Sequence, residues 1–408
     1  MRGTGQTSDG KLIMQGRTAA ALLAVAIVCA FVIAATQPAQ AQTFKLLYNF
    51  TGGTDGGNPY AGLVMDKSGV LYGATEAGGA SGDGTVYSFS KGTETVLHSF
   101  SGTDGAQPFA GVVMDSSGTL YGTTTAGGSS DMGTVFALDS SGTFTTLYNF
   151  TGGSDGGPPY AGLVLDKKGN VYGTTAFGGS AGDGVVFKVN IGTQQETVLY
   201  NFCSASNCAD GSTPFYGYPL MDAKANLYGT TWGGGSSGYG TVWELSAKGK
   251  ETVLYSFKGG TDGNGVYEQS LAMDKSGNLY GTTEWGGTGN CSGGCGVVYR
   301  VNIKTKKETV LYSFPGPSDG LNGVTPSSGV IRDSSGTLYG TTQGGGGFYD
   351  YGTVFKIVGK KESILHRFDG TDGNHPFTSP LLDEKGTLYG SAHEGGTYGY
   401  GTIYSLKP

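Results

Sequence analysis

The chain has 408 residues, 78 of them glycine, and a formal net charge of −7. Glycine recurs at fixed places in a long period and not at every third residue, and 25 Tyr and 19 Phe recur as regularly; collagen and a structureless linker are both excluded. An acidic chain without basic runs also excludes nucleic acid and anionic membrane surfaces as partners.

In chain order, the first segment differs in kind from the rest. Arg17 precedes an apolar run from Ala19 to Ala35, and Pro38 is followed by Ala39-Gln40-Ala41. The pattern predicts a secretory signal over 1–41, cleaved after Ala41. The run is shorter than the ~20 residues of a membrane span, and an uncleaved anchor is the competing reading. Residues 1–41 carry a net +2, so the exported chain stands at −9.

Residues 44–50, "FKLLYNF", form a single strand without neighbours in sequence. From there a phrase such as "DKSGNLYGTTEWGGTG" recurs. Its Tyr falls at Tyr72, Tyr121, Tyr172, Tyr228, Tyr280, Tyr339 and Tyr389, in steps of 49, 51, 56, 52, 59 and 50 residues. Each unit holds four short apolar stretches, in the first unit 61–66, 70–75, 84–89 and 94–100. They are bounded by Gly, Asp and Ser and lack helical spacing, so they are strands, here lettered A to D. The A–B turn "DKSGN" uses Asp as a turn former and Gly for positive φ. The last unit stops after strand C, in "GTIYSLKP". One spare D strand at the start and one missing at the end predict an all-β, seven-bladed β-propeller, closed by 44–50 in the last blade. Residues 42–408 are then a single domain.

Five cysteines become four once Cys29 leaves with the signal, and these fall as Cys203/Cys208 and Cys291/Cys295, each pair inside an insertion. In an oxidising compartment they read as two local disulfides; a four-thiolate metal site is the alternative.

The string "DG…P…GL…D..G.LYGTT..GG..G.GTVF" with a "TVLYSF" strand resembles the Gly-rich tandem repeat of bacterial choice-of-anchor, GloVer-type extracellular proteins, over essentially all of 44–408. The resemblance implies an exported, propeller-like repeat protein. It implies no activity and no catalytic residues. Some such proteins end in an anchoring tail; this chain ends at Pro408 just after a strand, so no C-terminal anchor is expected.

In a propeller the B–C loops and D–A links share one face, and here they hold nearly all the variation. The later B–C loops carry Trp232, Tyr239, Trp285, Phe348, Tyr349, Tyr351, Tyr398 and Tyr400, where the early ones hold mostly small residues. The D–A links add Phe215, Tyr216, Tyr218, Tyr267 and His375. Trp232, Trp285, Phe348, Tyr349, Tyr239 and Tyr398 are the candidate ligand contacts, because exposed aromatics suit the apolar faces of sugar rings. Packing between blades is the plain alternative for Tyr239, Tyr351 and Tyr400. Of the four His, His98 and His366 replace Tyr in strand D and read as core. His375 and His393, with Asp372 and Glu394 near in sequence, are the weaker, catalytic candidates. No motif for a cofactor, metal or phosphate appears. The expected function is a secreted or periplasmic binding module for a glycan, a cell-envelope polymer or another extracellular protein, away from the membrane after cleavage. A polysaccharide lyase or glycoside hydrolase using the last-blade set is the alternative.

Overall fold

The computed structural model describes residues 42–266, 270–316, 322–347 and 349–408; the expected signal segment, Tyr267 and Phe348 lie outside them. Seven four-stranded antiparallel sheets follow one another along the chain. In the first, Val64–Met65, Leu71–Thr75, Thr85–Ser90 and Thr93–Ser99 are strands A to D. The last sheet runs Thr43–Asn49, Thr402–Lys407, Leu388–Ala392, Leu381–Leu382, so the N-terminal strand is its strand D. Strand C of the last blade is thereby paired on both sides and not left as the edge. Strand A is shorter than the expected six residues: it has two in every blade, as in Val113–Met114 and Ile331–Arg332. In the first, second, sixth and seventh blades these strands line the central cavity.

The recurring phrase is explained by contacts inside each blade. The Gly of "LYG" pairs across to the aromatic residue of strand C: Gly73 to Tyr87, Gly229 to Trp243, Gly281 to Tyr299. A side-chain carbon on Gly229 would lie 2.4 Å from Trp243 Cζ2, and one on Gly73 2.5 Å from the Tyr87 hydroxyl. This glycine is therefore demanded by space and not by φ. The neighbouring Tyr72 hydroxyl donates to Asp66 at 3.3 Å, while the other Asp66 oxygen accepts the N–H groups of Ser68 and Val70, each at 2.9 Å. The same set recurs at Asp166 with Tyr172 and at Asp274 with Tyr280, each at 2.9 Å. Buried Thr pairs tie strands B and C: Thr75 to Thr85 at 2.8 Å and Thr124 to Thr134 at 2.9 Å.

Two disulfides join Cys203 to Cys208 and Cys291 to Cys295, both local. Each closes a loop of a few residues, so reduction is expected to cost less than the ~3 kcal/mol of a loop of about 15. Unreduced peptide mapping checks the pairing, and a melting curve with reductant checks the magnitude; a large drop in Tm would contradict it. Among the described residues no helix is long and apolar enough to cross a membrane.

Candidate functional site

The D–A link entering each blade is zipped to that blade's own B–C loop, as in Gly57 with Ala77, Ala106 with Ala126, Ser212 with Gly233 and Asn374 with Glu394. The variable segments thus form one surface. In every link but the fifth, which has Val266 at that place, a proline packs over a glycine of the preceding blade. A side chain on Gly401 would lie 2.5 Å from Pro59 Cδ, and one on Gly84 2.7 Å from Pro108 Cδ. Pro159, Pro214 and Pro376 sit likewise over Gly133, Gly184 and Gly352. This contact fixes where the next residue falls. Tyr60, Phe109, Tyr160, Phe215 and Phe377 follow these prolines, and they meet around the channel mouth.

Their rings form a continuous arc through blades seven, one, two, three and four. Phe377 stacks on Tyr60 at 4.5 Å; Tyr60 meets Phe109 at 5.1 Å, Phe109 meets Tyr160 at 5.7 Å, and Tyr160 meets Phe215 at 5.0 Å. In the sixth blade the slot holds Ser327, which is buried. After its proline the fourth link is one residue longer than the other proline-bearing links, Pro214 to Asp222 against Pro159 to Asp166, and the extra residue sends two tyrosines inward. Tyr216 lies 5.6 Å from Tyr60 and 5.1 Å from Tyr160. Tyr218 reaches the second blade, where its hydroxyl accepts the Gly111 N–H at 2.6 Å. Its ring crosses Gly162, which has no room for a side chain. A cavity of about 500 Å³ joins this aromatic half to a half with small and hydroxyl residues, including Ser270, Gly329, Thr378 and Ser379.

The rim carries charge. His393 packs edge-on against Tyr60 and Phe377, with ring centroids 5.2 and 5.3 Å away. Its Nε2 lies 3.3 Å from Glu76 Oε2, contributed by the first blade across the closure seam. Glu394 stands between the two histidines, 3.5 Å from His375 Nδ1 and 3.8 Å from His393 Nδ1. Glu284, at the position in the fifth blade that His393 holds in the seventh, is pushed up to about 7 by burial. Such a rim can hold or pass a proton beside a stacked ring, and its carboxylates repel an acidic ligand.

The sequence candidates separate. Trp232 is exposed and occupies the rim position of the fourth blade. Trp285 is half-buried and rests on Gly265. Tyr239 lies on Gly259, and Tyr400 on Gly52, each covering the turn of a neighbouring link while staying partly exposed. Tyr349 and Tyr398 are exposed, Tyr349 stacking on Tyr351 at 5.6 Å. Asp372 pairs with His366 Nε2 at 2.7 Å and with the Asp369 N–H at 3.0 Å. It serves strand D, while the His375–Glu394–His393 group gains Glu76. Among the described residues, Asp183 lies near the Cys203 and Cys208 sulfurs, but a disulfide offers no thiolate to a metal. The sequence reading did not single out Tyr60, Phe109, Tyr160 and Phe377. The signal for them was present, as a Pro–aromatic dipeptide at one slot of repeat after repeat.

The Gloeobacter/Verrucomicrobia repeat profile matches residues 32–243 and 216–408. No curated protein sequence matches the chain. Among solved structures, the chain is similar to the extracellular domain of a one-component system from B. thetaiotaomicron, with 12% identity and a TM-score of 0.57. That match covers 89% of this chain but only 39% of the other. It is also similar to an oligogalacturonate lyase from Vibrio parahaemolyticus, with 12% identity, a TM-score of 0.52, and 91% and 94% of the two chains covered. PorZ, a surface component of the type-IX secretion system of Porphyromonas gingivalis, matches with 14% identity and a TM-score of 0.54, over 89% of this chain and 48% of its own. At such identities these likenesses speak to the fold alone.

Proposed function

Because the chain belongs to the Gloeobacter/Verrucomicrobia repeat family, whose description names a repeat and no activity, we propose its function from the channel mouth: an exported module that binds a neutral glycan there. The continuous aromatic arc from Phe377 to Phe215 carries this reading. Aromatic faces pack against the C–H faces of pyranose rings, and aromatic anchors concentrate binding energy. The hydroxyl-bearing half of the cavity complements the polar edge of the same ring. The acidic rim and the exported charge of −9 favour a neutral polymer over an acidic one. Export by the 1–41 segment is part of the proposal and agrees with the two disulfides. Trp232, joined to the arc's end by its place in the fourth blade, extends the contact; Phe177 meets Phe215 at 5.7 Å and extends it too.

The test is a glycan screen of residues 42–408, repeated with variants. Phe377→Ala, Tyr160→Ala and Trp232→Ala are each expected to weaken binding tenfold or more, ~1.4 kcal/mol. Tyr398→Ala, away from the mouth, leaves it unchanged. Full binding by the mouth variants, or no binding to any neutral glycan, sinks the reading. One observation favours a second reading, a lyase or hydrolase: His393 and Glu76 form an acid–base pair against the stacking ring of Tyr60. Turnover of a bound glycan that disappears in folded His375→Ala/His393→Ala protein would favour that alternative.

A further inference from the structure

Each blade meets the next through one repeated arrangement on the outer strands. A strand D Tyr hydroxyl donates to the Asp of the following link: Tyr48 to Asp55 at 2.9 Å, Tyr148 to Asp155 at 3.0 Å, Tyr200 to Asp210 at 2.7 Å and Tyr255 to Asp262 at 2.8 Å. Facing them from the next blade stand Glu94, Glu196, Glu251 and Glu308, and Glu362 faces Tyr312. In the other two seams His replaces Tyr: His98 meets Asp104 at 2.9 Å, and His366 meets Asp372 at 2.7 Å. The facing residue is then Phe. Phe144 stacks on His98 at 3.8 Å, and Phe44 on His366 at 3.7 Å. Across all seven seams Tyr goes with Glu, and His with Phe.

Charge explains the pairing. A His seam has an imidazole to answer its Asp, and an aromatic ring covers that imidazole. In the four Tyr seams whose link Asp is among the described residues, two carboxyls come together and the Asp meets neutral donors, the Tyr hydroxyl with backbone N–H and side-chain hydroxyl groups such as those of Thr51 and Thr151. In all five Glu residues Oε1 is buried without a partner. An ionised carboxylate with an unanswered oxygen, beside a second carboxylate, is costly; a neutral acid is much less so.

We propose that the five seam glutamates are neutral carboxylic acids in the folded ring, so that the ring tightens as the medium turns mildly acidic and loosens as they ionise. Burial and then the facing Asp hold Glu94 and Glu196 up at about 7. Glu251 and Glu308 also stand at about 7, with Lys306 and Lys258 pulling the other way. Glu362 stands at about 6, raised by burial and drawn back by Arg367 and Tyr312. Tyr87 and Tyr299 also face Glu94 and Glu308, and stay neutral here. The ordinary Glu value is 4.5. Between that value and about 7 the folded ring holds protons that the unfolded chain has released, so stability falls as pH rises. The turn carboxylates act in the opposite sense. Burial acts to raise Asp66, but its hydrogen bonds from Ser68, Val70 and Tyr72 outweigh it and hold it below 3.8; its stabilisation is lost at lower pH. Stability should therefore peak in mild acid.

The experiment is a series of thermal melts of residues 42–408 between about pH 5.5 and about pH 8, on wild type and on variants. Wild-type Tm should fall steadily across this range. The fivefold Glu→Gln variant, which mimics the neutral acids, should lose most of that slope and match or exceed wild type at the alkaline end. Should it fail to fold, the single variants Glu94→Gln and Glu196→Gln carry the test: each should raise Tm at the alkaline end and leave it unchanged at the acidic end. Infrared spectra should show a carboxylic-acid carbonyl band near pH 6 that each substitution diminishes. A wild-type Tm that is flat or rises with pH, or Gln variants that keep the wild-type slope, would overturn the proposal.

Discussion

Deleting residues 43–49 is expected to abolish the closed ring. The strand supplies the whole outer edge of the seventh blade, hydrogen-bonded to Thr402–Lys407. It also brings Phe44 against His366, 5.5 Å from Tyr404, and Leu47 and Tyr48 against the core that holds Phe50 and Tyr87. Truncating one buried aromatic costs about 3–5 kcal/mol. Losing several such contacts together with a row of backbone bonds reaches the ~5–15 kcal/mol that holds a typical domain folded. A peptide carrying the missing strand should restore part of the loss when added in trans, because the vacant edge is a template for it. Circular dichroism melts of the truncated chain, with and without the peptide, provide the measurement. An unchanged Tm would show that the N-terminal strand is ornamental.

Gly229→Ala is expected to cost less than losing the strand but more than most single substitutions, from a single methyl group. The added carbon would lie 2.4 Å from Trp243 Cζ2, and the indole is 1% exposed, with the Phe202 ring 5.6 Å away. Overpacking of this kind costs about 1–3 kcal/mol where neighbours can shift. Here the partner lies directly across a paired strand, between Val242 and Glu244 in register, so the upper part of that range applies. A double-mutant cycle separates space from conformation: in a Trp243→Leu background, Gly229→Ala should cost much less. Equal losses in both backgrounds would mean that the glycine is needed for something other than room for the ring.

Both expectations start from features legible in the sequence, and both need the structure for their size. The unmatched strand 44–50 could be counted, but what Phe44 touches could not. The "LYG" glycine could be seen seven times, but the ring beneath it comes from strand C, fourteen residues later in the fourth blade. The disulfide pairs were legible because both partners lie within one insertion. The role of His98 and His366 was legible as well, since each stands where other repeats have Tyr. What they bond was not: Asp372 reads in the sequence as a companion of His375 and His393, and its pairing with His366, like that of Asp104 with His98, appears only in the structure.

Local chemistry at a regular period was thus enough to determine the architecture: strands, turns and the seven units rest on interactions within about fifty residues, and the closing strand could be counted as the spare one although it pairs with Thr402–Lys407, more than three hundred positions away. The tertiary structure alone decided the mouth and the seams. Tyr60 and Phe377 are more than three hundred positions apart and stack only because the ring closes. Glu76 meets His393 for the same reason. Tyr218 bonds Gly111 of the second blade, a contact that no repeat pattern encodes because, among the described residues, it exists in one unit only. A repeat repays reading unit by unit. A site assembled where seven units converge depends on angles and distances that accumulate around the ring, and those are set by the packing of each blade on the next.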